Sequence, residues 1–157
     1  MDYETLKWLH ILSSTVFFGT GLGSAFYKWC ADRSGNLEAI AHTNRIVVIA
    51  DWLFTTPTVI FQPLSGFLLI NTLGYPLTEP WLVASYVLFI IAGACWLPVV
   101  WLQIRMRDLS QHALQNELEL GGSYHRYARL WFWLGVPAFI SIVIIFYLMV
   151  FKPVISI

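Results

Sequence analysis

Four uninterrupted apolar stretches constrain this chain more than any other feature of its sequence. They cover approximately residues 6–29, 46–73, 81–103 and 127–151. Each is long enough to cross a hydrocarbon core of about 30 Å, which requires roughly 20 helical residues. Because the stretches are continuous and not alternating, they predict helices and exclude the strands of an outer-membrane barrel. The sequence therefore predicts an all-α integral membrane four-helix bundle, forming a single transmembrane domain over residues 1–157.

The charge content agrees with a lipid environment. Only 11% of the residues are charged, whereas charged residues make up about a quarter of an ordinary soluble domain. Nine basic residues balance nine acidic ones, so the formal net charge is zero. Such a chain has no positive surplus with which to hold phosphate backbones. We therefore expect a lipid bilayer as the main partner and no nucleic acid.

The distribution of basic residues predicts the orientation in the membrane. Lys7 and Lys152 lie near the two termini, and the connection over residues 74–80 has no basic residue. The other seven flank the first and third connections: Lys28, Arg33, Arg45, Arg105, Arg107, Arg126 and Arg129. By the positive-inside rule these two connections are cytoplasmic and both termini lie outside. The sequence thus predicts a multi-pass protein of a bacterial inner membrane, with its first span retained and not cleaved as a signal peptide.

Residues 105–120, between the third and fourth spans, have apolar side chains interleaved with polar ones at helical spacing. This pattern predicts a cytoplasmic helical extension, which either continues the third helix into the cytosol or lies on the membrane surface. Gly121 and Gly122 are predicted to end it, because glycine commonly follows the C-terminus of a helix.

The second span carries a stripe of polar residues at spacings of three and four, which place them on one helix face. The stripe consists of Asp51, Thr55, Thr58, Gln62 and Ser65. Polar groups within a membrane must turn away from lipid and are candidates for function. The stripe either joins helices by hydrogen bonds or lines a path for a substrate, a quinone or protons. Pro57 and Pro63 interrupt the same helix and free carbonyl groups that the stripe could satisfy.

His10 lies about one turn into the first span, near the outer face. An imidazole there could ligate haem iron, contact a quinone, or bond to a carbonyl or a headgroup. His10 is the only histidine at that depth, and Met149 is the one soft side chain at the outer end of the fourth span. A cofactor site would therefore use His10 as the metal ligand and Met149 as a second axial ligand. Asp51, Gln62 and Ser65 would then line the cofactor cavity.

Gly19 and Gly23 give the first span a small-xxx-small spacing, which allows close approach of two helix backbones in lipid. The helix that approaches this face is either another span of the same chain or belongs to a second copy or a membrane-protein partner.

Three segments of the chain resemble a known family. They are similar to a bacterial family of predicted four-span integral membrane proteins of unknown function. The segments are residues 6–12 with Phe18 and Gly19, the QPLSG segment at residues 62–66, and residues 134–139 with 148–153. This resemblance extends over nearly the whole chain. It implies four spans and an inner-membrane location, and it implies no activity.

A second resemblance is confined to the first span. Lys7, His10 and Ile11 form a K-x-x-H-I opening that is similar to the first helix of the four-helix membrane protoporphyrinogen oxidases of haem synthesis and of copper-resistance membrane proteins. This resemblance implies haem b as a cofactor, bound at His10. The other helices have no matching basic residues, so it does not extend to the oxidase activity.

Two functions from different classes remain open on the sequence. The first is a non-catalytic membrane subunit or accessory protein, in which the polar residues pack helices and the glycine face docks a partner. The alternative is a haem- or quinone-linked membrane redox protein that uses His10. Base rates favour the first, and the sequence alone does not say whether the protein is an enzyme.

Overall fold

The computed structural model describes residues 2–153 as four long helices, with no strand in that range. The helices are α1 (Tyr3–Ser34), α2 (Leu37–Leu73), α3 (Pro80–Gln115) and α4 (Gly122–Phe151). Each is long and apolar enough to cross a membrane. The prediction of an all-α, membrane-spanning four-helix protein is therefore confirmed.

The connection between α1 and α2 is much shorter than the apolar stretches suggest, because it consists of Gly35 and Asn36 alone. Gly35 ends α1 in a left-handed conformation with φ 65°, which glycine adopts without strain. The Asn36 side chain accepts a hydrogen bond from the backbone N–H of Ala39 at 3.0 Å and so caps α2. The polar residues on either side of this turn are helical, so both helices extend beyond their apolar spans.

Helix α2 contains a π-helical turn at Asp51–Thr55, between α-helical segments Leu37–Ala50 and Thr56–Leu73. Pro57 explains the wider turn, because proline has no N–H and its ring crowds the carbonyl four residues earlier. The backbone N–H of Thr56 donates to the Asp51 carbonyl instead. The Thr56 hydroxyl donates to the same carbonyl at 3.0 Å.

Helix α3 continues without a break to Gln115, so the predicted extension is a continuation of the third helix. The prediction that Gly121 and Gly122 end it is wrong. Glu117 adopts a left-handed conformation with φ 54°, and the N–H of Leu118 bonds to the carbonyl of Ala113 at 2.9 Å. These features close a Schellman-type C-terminus. Gly121 and Gly122 instead begin α4, as its N-cap and its first residue.

The helices pack in chain order, α1 on α2, α2 on α3 and, most extensively, α3 on α4. Near mid-height α1 reaches α4 through Phe18, whose ring centroid lies 5.1 Å from that of Phe139 and 5.4 Å from that of Phe146. Elsewhere, large apolar side chains are exposed on all four helices, as expected for surfaces that face lipid.

The two ends of the bundle differ in character. The end that holds the α1–α2 and α3–α4 connections, which we call the basic end, has a buried cluster of Ala31, Ile40, Leu102, Met106 and Tyr124. The opposite end is closed by a second cluster of Ile70, Trp81, Leu82 and Leu148. There the Lys152 ammonium lies 5.0 Å from the centroid of the Tyr75 ring.

The glycines of α1 are not used for close packing within the chain. A Cβ atom built on Gly19 meets no atom within 4 Å, and one built on Gly23 meets only the ring of Tyr27 in the same helix. Within residues 2–153, no other helix therefore packs closely against this face.

Candidate functional site

A cavity of about 320 Å³ lies between the four helices, toward the basic end. All four contribute to its wall, which is mostly apolar. Four of its large apolar lining residues are also exposed on the outside of the bundle: Leu22, Phe132, Phe139 and Ile140. The cavity thus communicates with the surface between α1 and α4, which lipid would cover.

Four polar atoms of residues that line this cavity have no hydrogen-bond partner within residues 2–153: Asp51 Oδ2, Thr55 Oγ1, Gln103 Oε1 and Trp131 Nε1. The side chains of Asp51, Thr55 and Gln103 are deeply buried, with 7%, 4% and 6% of their residue surface exposed. Buried polar groups in native proteins are almost always hydrogen-bonded, and exceptions point to a bound molecule or to water. Four such exceptions around one cavity mark it as the candidate binding site.

The π-helical turn of α2 supplies two of these residues. Asp51 begins the turn and Thr55 ends it, and both face the cavity. The Trp96 indole N–H donates to the other carboxylate oxygen, Asp51 Oδ1, at 3.4 Å. Single π-helical turns within α-helices often occur at functional sites. Here the turn, which Pro57 favours, holds the carboxylate at the cavity wall.

Of the remaining polar residues of the predicted stripe, Thr58 donates to the carbonyls of Phe54 and Thr55 in its own helix, whereas Gln62 and Ser65 lie against α1. Gln62 Nε2 donates to the backbone carbonyl of His10 at 3.0 Å. Ser65 Oγ lies 2.7 Å from His10 Nδ1. The stripe therefore turns into the bundle along its length, but only Asp51 and Thr55 reach the cavity.

The hydrogen bonds of Ser65 define the state of His10. Ser65 Oγ donates to the carbonyl of Phe61 at 2.7 Å. Since a hydroxyl has one proton, Ser65 accepts from His10, and His10 Nδ1 carries the hydrogen. Nε2 then has a free lone pair, and no hydrogen bond to it occurs within residues 2–153. A Cβ on Gly66 would lie 3.5 Å from His10 Cε1, so the imidazole packs directly on the α2 backbone.

The structure does not unite all five predicted site residues. His10, Gln62 and Ser65 form one cluster, Asp51 belongs to the cavity, and Met149 is 37% exposed on α4. In the described part of the chain, no group of three His, Cys, Asp or Glu side chains could hold a metal ion.

A buried network at the basic end joins all four helices. The Lys28 ammonium, only 1% exposed, donates to Asp32 Oδ2, Asn44 Oδ1 and Tyr124 Oη, each at 3.0 Å. Tyr124 donates to Asp32 Oδ1 at 2.6 Å. Asn44 Nδ2 donates to Ser110 Oγ at 3.1 Å and to Tyr124 Oη at 3.0 Å. Every member is satisfied, so we interpret the network as structural.

The network borders the cavity. The Lys28 ammonium lies 5.6 Å from the centroid of the Trp131 ring, whose N–H is unpartnered in the cavity wall. The sequence predicts Lys28 as a cation flanking the first connection, whereas the structure buries it. The spacing of Lys28 and Asp32, typical of a helix ion pair, was the one available signal for the network. Nothing in the sequence links them to Asn44 or Tyr124.

Comparison with known proteins assigns the chain to a family. No curated protein and no solved structure matches the chain at a significant level. The model of a family described as "Predicted integral membrane protein (DUF2269)" matches residues 4–153. That range includes the cavity, the His10 cluster and the Lys28 network. The chain therefore belongs to this family of predicted integral membrane proteins.

Proposed function

We propose that this protein is a non-catalytic membrane protein, an accessory subunit, that holds one lipophilic molecule with a polar group in the cavity between its helices. The observation that carries the proposal is the set of four unpartnered polar atoms around a single cavity of about 320 Å³. Pockets for small molecules have volumes of about 300–1,000 Å³ and combine apolar walls with a few convergent polar groups. The volume of this cavity and its apolar wall with four polar atoms both agree with these values.

The position of the cavity mouth supports a ligand that arrives from the membrane. The large exposed lining residues are apolar and belong to the lipid-facing surfaces of α1 and α4: Leu22, Phe132, Phe139 and Ile140. A lipophilic molecule would pass between these helices without crossing a polar surface. The bacterial inner membrane, which the basic residues and the family resemblance favour, would be the source of that molecule. A partner that docks on the Gly19 and Gly23 face of α1 remains a prediction.

Filling the cavity should weaken ligand binding. Gly135 lines the cavity, and a Cβ built on it meets no atom within 4 Å. The Gly135→Leu variant is expected to place a four-carbon side chain in that space and to weaken ligand binding at least tenfold. The probes are 1-naphthalenemethanol and 1-naphthylmethylammonium. Equilibrium dialysis against the protein in phosphatidylcholine nanodiscs, with empty nanodiscs subtracted, measures saturable binding of each.

The matched control is Gly93→Leu in α3. Gly93 also has no atom within 4 Å of an added Cβ, but it does not line the cavity. This variant should bind as the wild type does. If neither probe binds saturably to the wild type, or if Gly135→Leu binds as well as Gly93→Leu, the proposal is wrong.

A redox function at His10 is the second candidate, and the free Nε2 of His10 favours it. Ser65 fixes the imidazole with Nδ1 protonated, which leaves Nε2 oriented as a ligand. Such hydrogen bonding to the second nitrogen is typical of metal-bound histidines. Haem b would supply one-electron chemistry when bound. Met149, which is 37% exposed on α4, would be the candidate for a second ligand.

If His10 binds haem, the purified protein should show a Soret band that survives extensive washing. The His10→Ala variant should lose the band, because an axial nitrogen must lie at the depth of the porphyrin. The exposed His112, in the α3 extension at the basic end, provides the control, and His112→Ala should keep the band. Met149→Leu should shift the spectrum toward a high-spin form if methionine is the sixth ligand. Absorption spectroscopy in detergent measures all four proteins.

A colourless wild-type protein, folded by circular dichroism and produced in cells supplied with haem precursor, would remove the redox candidate. His10 would then act only in holding α1 on α2. That result would leave the cavity proposal intact, because His10 does not line the cavity.

A further inference from the structure

We infer that the molecule held in the cavity is a monovalent organic ammonium ion with an aromatic body, and that Asp51 is its counter-charge. The inference rests on the proposed function, since it names the class of ligand for the same cavity. Three features of the wall carry it: an acid without a counter-charge, an excess of hydrogen-bond acceptors, and a high density of aromatic rings.

Asp51 is the buried acid without a counter-charge. The ion pairs found within residues 2–153 join Lys7 to Glu4, Lys28 to Asp32 and Arg107 to Asp108. Lys28, the cation that borders the cavity, is thus already paired, and no basic side chain in that range lies within 4.0 Å of Asp51. A buried carboxyl group must carry a proton or meet a cation, because an isolated charge in a medium of low dielectric is very costly.

The unpartnered atoms favour a ligand that donates hydrogen bonds. Asp51 Oδ2 and Gln103 Oε1 are acceptors, whereas Trp131 Nε1 is the one obligatory donor among the four atoms. An ammonium group has up to three N–H donors and no acceptor, so it has a donor for each of the two oxygens. A hydroxyl can donate to only one of them, and a quinone can donate to neither. With Asp51 ionised, the acceptor excess therefore favours an ammonium ligand over both neutral classes.

Aromatic side chains surround these acceptors on three helices. Those that line the cavity are Phe17, Phe18, Trp96, Trp131, Phe132 and Phe139. Ring faces attract cations, and a desolvated site strengthens that attraction. The same rings offer stacking and edge contacts to an aromatic body. An engineered cavity of about 150 Å³ accepts benzene, so a volume of about 320 Å³ can hold two fused rings.

The decisive comparison uses the two naphthalene probes, which differ only in the polar group. In phosphatidylcholine nanodiscs, 1-naphthylmethylammonium should bind the wild type at least tenfold more tightly than 1-naphthalenemethanol, a difference of about 1.4 kcal/mol. The isosteric variant Asp51→Asn should lose this preference. Asp108→Asn, the same change at an exposed acid of the α3 extension, should retain it.

The outcomes separate this inference from the function on which it rests. Saturable binding of both probes with equal affinity would overturn the ammonium inference and leave a cavity that binds neutral molecules. Saturable binding of neither probe would overturn both. The wild-type comparison needs no variant, so it decides the ligand class even if Asp51→Asn fails to fold. A preference that persists in a folded Asp51→Asn protein would show that Asp51 is not the counter-charge.

Discussion

Replacing Lys28 with methionine is expected to lower the free energy of unfolding by about 3 kcal/mol, because breaking a buried ion pair leaves its remaining partners uncompensated. Methionine has nearly the length of lysine but cannot donate. The variant would leave Asn44 Oδ1 without a partner, and Asp32 would retain only the Tyr124 hydroxyl. Equilibrium unfolding in mixed micelles of dodecylmaltoside and dodecyl sulfate, followed by far-ultraviolet circular dichroism, measures the change.

Lys7→Met is the matched control. Lys7 lies on the same helix and pairs with Glu4 at 4.0 Å, but both side chains are exposed. Exposed pairs of this kind contribute little, so the change should be below about 0.5 kcal/mol. The double variant Lys28→Met with Asp32→Asn should recover part of the loss, since it also removes the orphaned carboxylate. A cost for Lys28→Met as small as that of the control would show that the network does not stabilise the bundle.

The second large effect concerns orientation. A reporter enzyme that is active only outside the cytoplasm is expected to work when fused after Ile157 and to fail when inserted within residues 108–119. The structure brings the α1–α2 and α3–α4 connections to one end, where Asp32, Asn44, Ser110 and Tyr124 meet. Seven basic residues therefore lie toward the same end, and the positive-inside rule predicts that this end is cytoplasmic.

The two fusions must give opposite results. If the insertion within residues 108–119 is active and the terminal fusion is inactive, the bundle has the opposite orientation in the membrane. A fusion at the α2–α3 connection, over residues 74–79, provides an independent control, because that turn lies at the opposite end. It should behave like the fusion after Ile157.

The presence of the four helices was predictable from the sequence, because a long apolar stretch is a strong signal in a membrane protein. The residues at which the helices end were not predictable. The apolar pattern predicts that the first span ends near Trp29, but α1 continues to Ser34. Helix propensity and the Gly35 cap extend the helix beyond the apolar stretch that lipid would cover. Gly121 and Gly122 show the converse problem. A glycine pair is compatible with either the end of one helix or the beginning of the next, and here the left-handed Glu117 had already ended α3.

The candidate site was predictable only in part. Helical spacing correctly predicts that Asp51, Thr55, Gln62 and Ser65 face the interior of the bundle, because the period of the polar residues indicates which helix face is buried. It does not report what lies opposite. Gln103 and Trp131 join Asp51 at the cavity through the way α3 and α4 pack, and Gln62 meets His10 through the way α1 crosses α2. Such contacts between distant segments depend on packing geometry, which a single sequence does not encode in any local pattern.

The Lys28 network also has a consequence for biosynthesis. Tyr124, which bonds to Lys28, lies 96 residues later in the chain. At a translation rate of about 5–20 residues per second, the ribosome needs roughly 5–20 s to deliver it. During that interval Lys28 can pair with Asp32 and Asn44, but it lacks its third partner, the Tyr124 hydroxyl. A chain that stalls before α4 would thus leave Lys28 and Asp32 uncovered on the side where Tyr124 bonds to both in the complete bundle.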